Sequence, residues 1–193
     1  MARPRSFDAD AVLSTAMLLF WERGYEATSI RQLEAATGLN APSLYGAFGD
    51  KEAIFTAALQ RYLDVVIAPA IHASAGTGLA GIRRMFTDIE LAGEGVPPGC
   101  LLAVTSSEAG ALGESPTRLL SKGIGEVRTA IRDELGAAVQ AGEVDAQIDI
   151  SATADALVAL YEGIQVLRRS STDHVDVGAI AGPVLDRLLA SPS

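Results

Sequence analysis

Residues 28–51 read TSIRQLEAATGLNAPSLYGAFGDK. Thr28 or Ser29 offers a side-chain cap for a short helix with Ile30, Leu33 and Ala36 on one face, and Gly38 stops it. Asn40 caps a second helix, with Pro42 in its first turn, where a missing N–H does no harm. Two short helices about a glycine-containing turn predict a helix-turn-helix. Gly49-Asp50 closes the unit and caps a further helix running from Lys51 toward Pro69. Upstream, Asp8 caps a helix over 7–23 with Val12, Ala16, Leu19 and Phe20 on one face, stopped by Gly24.

Downstream the periodicity predicts longer helices at 79–91, 100–112, 116–140 and 150–169, with a loop at 93–99. A last segment at 175–189 contains Pro183, which predicts a kink or a break. Nothing reads as a strand series, so the fold class is all-α. Its expected organisation is a helix-turn-helix DNA-binding domain at 1–50, a connecting helix at 51–75, and a ligand-binding and dimerisation domain at 76–193.

Composition agrees. Of 193 residues, 49% are hydrophobic and 20% charged, which excludes a disordered chain. Thirty-three alanines against 5% aromatic residues favour helix over sheet. One cysteine excludes an internal disulfide framework, and with His72 and His174 it cannot make a tetrahedral zinc site, so no metal and no cofactor are expected. Unbroken apolar runs such as residues 16–21 fall far short of the roughly 20 residues of a membrane span. The start, MARPRS, has no apolar stretch behind its arginines, so no secretion signal is expected and a cytoplasmic location is the default. The net charge is −9, but residues 1–62 carry six basic and seven acidic groups, whereas 63–193 carry nine and seventeen. The acidic load is therefore confined to the second part, which predicts two parts with different tasks.

The first part suits DNA. A helix over 40–47 is about 12 Å long, and the major groove is about 12 Å wide. Leu39, Leu44 and Phe48 hold it on its neighbour, leaving Ala41, Pro42, Ser43, Tyr45, Gly46 and Ala47 outward. Small residues allow close approach to base edges, and Tyr45 can hydrogen-bond a phosphate. Lys51, at a helix start, can share a phosphate with free backbone N–H groups, and Arg31 projects from the helix that crosses the backbone. Arg3 and Arg5 form a basic arm suited to the minor groove, and Thr28 and Asn40 complete the candidate DNA-binding set.

At these residues the chain resembles the TetR family of bacterial transcriptional regulators. The likeness runs from Arg3-Pro-Arg through Phe20-Trp-Glu-Arg-Gly-Tyr-Glu-Ala-Thr-Ser, Leu33, Gly38-Leu39-Asn40 and Ser43-Leu44-Tyr45 with Phe48 to Lys51-Glu52 and Phe55. It implies an all-α homodimer whose N-terminal domain binds a palindromic double-stranded operator and whose C-terminal helices bind a small-molecule effector that releases the DNA. Tyr45 and Lys51 match the family's phosphate-contacting residues. Glu34 and Thr37 stand where the family usually has alanines, and Ala47 where it often has His or Tyr. Gly99-Cys100-Leu101-Leu102 followed by Glu108 resembles one branch of the family.

An effector pocket is expected among Met85, Phe86, Ile89, Cys100, Leu101, Val104, Thr105, Val127, Ile131, Tyr161 and Gln165, whose interleaved polar groups suit an amphipathic ligand. Cys100, with no adjacent cation to activate it, is read as lining that pocket without reacting. The last two helices are apolar on more than one face, which places a twofold interface at Leu157, Leu160, Ile164, Leu167, Ile180, Val184 and Leu188. Arg168-Arg169 complement the dipole at a helix C-terminus. No catalytic group and no enzyme activity is expected, because no acid/base pair or nucleophile triad stands out. The competing reading is a nucleotide- or cofactor-binding helical enzyme using GTGLAG, from Gly76 to Gly81, which matches G-x-G-x-x-G but lacks a preceding strand. A scaffold that merely dimerises is a third.

Overall fold

A computed structural model describes residues 7–88, 95–171 and 174–189, and among these every regular element is helical. The elements are α1 (Ala9–Arg23), α2 (Ile30–Thr37), α3 (Ala41–Phe48), α4 (Lys51–Tyr62), α5 (Ala68–Ser74), α6 (Leu79–Thr87), α7 (Leu101–Ser107), α8 (Glu114–Gln140), α9 (Ile150–Ser170) and α10 (Val177–Leu188).

Local chemistry sets the first four boundaries. Asp8 Oδ1 accepts from Asp10 and Ala11 N–H. Ser29, not Thr28, caps α2, in a reciprocal box with Gln32. Asn40 and Asp50 cap α3 and α4 through Ser43 and Ala53. Gly38 closes α2 at φ 71°, a left-handed position that suits glycine.

α4 does not end at Pro69. A π-helical turn (Leu63–Ile67) joins it to α5, making one rod from Lys51 to Ser74. Pro69 falls in the first turn after that bulge, where no N–H is needed. This rod and α9 are long and apolar enough, by length and composition alone, to cross a membrane. The rod's apolarity serves packing, for Ile54, Phe55, Ala58, Leu59, Tyr62 and Leu63 are sealed between α1 and α8. Pro183 does not break α10, which is helical from Val177 to Leu188 with the proline inside it. Pro183 is on the exposed side, while Ala181 and Leu185 anchor the helix from the buried side.

α6 ends at Thr87, capped by Asp88, and residues 89–91 of the predicted helix, with Ile89, lie outside the described residues. α7 stops at Ser107 and gives way to a 3₁₀ turn (Ala109–Ala111). At that break Glu108 leaves helical geometry and turns toward the N-terminal unit.

Candidate nucleic-acid interface

α3 presents the face expected of it. Leu44 is fully buried under the helix, while Pro42, Tyr45 and Gly46 are exposed and Ala41, Ser43 and Ala47 half-exposed. The two departures from the family pattern in the turn hold it together. Glu34 Oε1 accepts the N–H of Ala41 at the start of α3, placing a carboxylate at the positive end of that helix. Thr37 donates to the Leu33 carbonyl and accepts from Leu39 N–H.

Arg31 and Asn40 are exposed, Asn40 serving as the α3 cap. Thr28 is placed otherwise than expected. It is fully buried and its hydroxyl donates to the Gly24 carbonyl at 2.6 Å, so it ties down the α1–α2 turn instead of facing outward. Arg3 and Arg5 lie outside the described residues. Lys51 Nζ sits 4.4 Å from the centroid of the Tyr25 ring. Partial burial lowers its pKa below the ordinary lysine value, against the opposing fields of Glu108 and Glu26.

Two side chains from the second half grip this unit, and neither role was read from the sequence. Glu108 accepts backbone N–H bonds from Tyr25 at 2.7 Å and Glu26 at 3.1 Å. Gly24, at φ 86°, lies so close that a Cβ there would meet Glu108 Oε1 at 2.7 Å. Arg169 donates to the Trp21 carbonyl at 2.6 Å and the Glu22 carbonyl at 2.8 Å. The dipole that Arg169 complements is thus that of α1 rather than of its own helix. Each contact spans more than 80 residues, and no local pattern announces it.

The expected pocket residues form a packed interior. Met85, Phe86, Cys100, Leu101, Val104, Thr105, Val127, Ile131 and Gln165 are buried, and Tyr161 is half-buried. Tyr62 donates its hydroxyl to Cys100 Sγ at 3.3 Å. Complete burial pushes the Cys100 thiol up to about 12, with the nearby Glu162 carboxylate adding to the effect. A thiol so held is a poor nucleophile at neutral pH. Open grooves of about 800 Å³ and 700 Å³ run between the α4–α5 rod and α8, sharing Lys122. A smaller cleft of about 190 Å³ separates α6 from α10. Of the expected pocket residues, only Phe86 borders these three clefts.

Burial raises the Glu162 carboxyl from its ordinary 4.5 to about 7. The folded protein therefore holds a proton that the unfolded chain releases near pH 4.5. Stability from this group is complete below that pH and is lost as pH rises through about 7. The loss amounts to about 2–3 kcal/mol. Urea midpoints at pH 5 and pH 8 will differ for the wild type and much less for Glu162→Gln; equal pH profiles for the two proteins would refute the assignment.

The GTGLAG stretch from Gly76 to Gly81 follows one helix and runs into the next, and its anion cradle is already filled. The Glu134 carboxylate accepts N–H bonds from Gly76, Thr77 and Gly78 at 2.6, 2.9 and 2.7 Å, and Glu143 accepts from Leu79. The backbone donors that would hold a nucleotide phosphate are taken by the protein's own acid, which removes the physical basis of the nucleotide reading.

Leu157 and Ile164, expected at a twofold interface, are sealed in the protomer's own core, and Leu160 and Ile180 are half-buried. Leu167 and Val184 are exposed, as is Val166, which the sequence reading omitted. Nothing is described of the Leu188 side chain.

A buried-core helix-turn-helix with a small-residue outer face, joined by a helical rod to a second helical unit, defines the class: a helix-turn-helix DNA-binding regulator. Residues 12–58 match the family described as bacterial regulatory proteins, tetR family, and residues 78–180 match the tetracyclin repressor-like C-terminal domain. The chain is 31% identical to the HTH-type transcriptional repressor ComR of Escherichia coli (strain K12), over 95% of this chain and 90% of that one. Among solved structures it is similar to a cysteine mutant of the TetR family regulator CifR complexed with 26-bp double-strand operator DNA. That likeness has 29% identity and a TM-score of 0.79, covering 99% of this chain and 100% of that one. A TetR family regulator from Agrobacterium tumefaciens, at 22% identity and a TM-score of 0.85 over 94% of this chain and 97% of its own, shares the fold. The chain belongs to the TetR family and is a DNA-binding transcriptional regulator.

Proposed function

We propose that this protein is a cytoplasmic, non-enzymatic, homodimeric repressor that leaves a pseudo-palindromic operator when a small-molecule effector binds its C-terminal unit. The outward face of α3, small except for Tyr45 and flanked by Lys51, carries the reading. Ala41, Pro42, Ser43 and Gly46 permit approach to base edges, and Tyr45, Lys51, Arg31, Arg3 and Arg5 meet phosphates. Thr28 has no part in it, being buried with its hydroxyl and its backbone N–H both used internally. Residues 1–50 serve DNA, 51–75 connect, and 76–193 serve ligand and partner. A twofold dimer implies half-sites about one helical turn apart, near 34 Å. Selection of bound fragments from the source genome will yield such a site; a protein that retains no fragment refutes the proposal.

If Arg3, Arg5, Arg31 and Lys51 each neutralise one phosphate, a dimer has about eight such contacts and a log–log salt slope of at most about −7. Lys51→Ala will weaken operator and random DNA alike and shrink that slope by about two. A change of sequence preference in an anisotropy titration would contradict the phosphate role.

Release requires that the effector favour a state in which the recognition helices are misplaced. The Glu108 and Arg169 contacts support a route, for Glu108, just after α7, holds the α1–α2 turn beside Lys51 and Arg169 of α9 holds the last turn of α1. Glu108→Ala removes two charge-assisted hydrogen bonds. Amide exchange at Tyr25 and Glu26 will accelerate by about 10- to 100-fold, with α8 amides unchanged. Unchanged exchange at Tyr25 and Glu26 would exclude the coupling.

A further inference from the structure

In the packed interior shared by α1, α4, α6 and α9, at the start of α7, lies a cluster of aromatic and polar side chains. Trp21 meets Tyr62 edge-on at 4.8 Å, Tyr62 reaches Cys100, and Phe86 meets Tyr161 edge-on at 5.8 Å. The Glu162 carboxylate acts electrostatically on both Cys100 and Tyr161. Among the described residues two buried side-chain polar atoms have no hydrogen-bond partner, and both belong here: Trp21 Nε1 and Glu162 Oε2. No Lys, Arg or His among the described residues forms an ion pair with Glu162, and burial is the one influence raising its pKa. Trp21 is 4% exposed. Glu162 keeps partial exposure on α9, so this is the side from which the cluster meets solvent.

An unpaired carboxylate oxygen in an aromatic interior is costly unless a partner arrives. The missing partner is a hydrogen-bond donor, and a positive charge suits both the carboxylate and the surrounding rings. We propose that this cluster is the effector site and that its ligand is a small organic ammonium on an apolar body, the ammonium bound by Glu162 and the body lying among Trp21, Tyr62, Phe86 and Tyr161. The assignment rests on the effector-released reading above and deepens it. An anionic ligand is repelled by ionised Glu162, whereas an ammonium favours that ionised form over the protonated one that burial favours.

Position adds an argument. Glu162 stands seven residues before Arg169 on α9, about 10 Å along the helix. Cys100 is the residue just before α7, and Glu108 is the residue just after it. A ligand wedged between these helices moves the two that grip the DNA-binding unit, so it favours the state in which the grip is lost.

Titration calorimetry with 2-phenylethylammonium chloride and its neutral counterpart 2-phenylethanol tests the class directly on the full chain. Trp21 is the chain's single tryptophan, so its fluorescence reports occupancy of this cluster. The ammonium will bind at least about tenfold more tightly than the alcohol and change Trp21 emission. Glu162→Gln will abolish that preference while unfolding no earlier than the wild type. Equal affinities, no saturable heat up to about 10 mM ammonium, or a preference that survives Glu162→Gln each overturn the proposal. Should the variant not fold, the wild-type comparison decides alone. Binding is read without DNA, so failure of the fragment selection above condemns the regulator reading and not the ligand class.

Discussion

If the proposed homodimer forms through the exposed face of α9, Leu167→Asp will give a folded protomer that no longer dimerises and holds its operator far more weakly. Leu167 is 49% exposed on α9, beside exposed Val166, and Val184 is 37% exposed on α10. The same side of α9 carries exposed Ala152, Ala156, Ala159 and Gly163, small residues that let a partner helix approach closely. Because the Leu167 side chain leaves the protomer's own core untouched, substitution costs little in the isolated fold. In a twofold interface it buries two carboxylates with no partner, at several kcal/mol each. An operator held at about 1 nM by two half-sites corresponds to about 12 kcal/mol, and one half-site keeps roughly half of it. Operator affinity will therefore fall by about 10³-fold or more, and sedimentation will show a protomer-sized particle. A variant that remains dimeric with unchanged operator affinity would move the twofold elsewhere.

Glu134→Ala will cost about 3–5 kcal/mol of stability. Glu134 is 3% exposed, and its two oxygens satisfy three consecutive backbone N–H groups at the α5–α6 elbow. Alanine leaves those donors without the carboxylate and opens a void where it lay. Water can reach Gly76 and Thr77, which are exposed, but not Gly78, which is buried. Glu134→Gln retains one oxygen for the elbow and will fall between alanine and wild type. Urea denaturation with a constant slope is the measurement; a shift below about 1 kcal/mol for alanine would show that the elbow holds without its internal anion.

The same elbow shows why a motif and a site are different things. GTGLAG has the letters of a phosphate cradle, and its backbone donors do converge on an anion. That anion is Glu134, nearly sixty residues further along, and nothing near the motif marks it. Arg169 repeats the lesson. Its place at a helix C-terminus suggested an electrostatic role, and the structure supplies a different helix to receive it.

What lay open in the residue order was everything decided within a few positions. Asp8, Ser29, Asn40 and Asp50 cap helices through N–H groups two or three residues on, and Gly24, Gly38 and Gly49 end helices at positive φ. Such interactions involve no chain closure, so local chemistry determines the helix-turn-helix and the outward face of α3. Tertiary packing alone decided that Leu157 and Ile164 serve the protomer's own core, that Glu108 and Arg169 clamp the first unit, and that a buried Glu162 oxygen lacks a hydrogen-bond partner among the described residues. Each depends on segments brought together from tens to more than a hundred residues apart, and a carboxylate's role depends on which donors surround it after burial rather than on its neighbours in the chain.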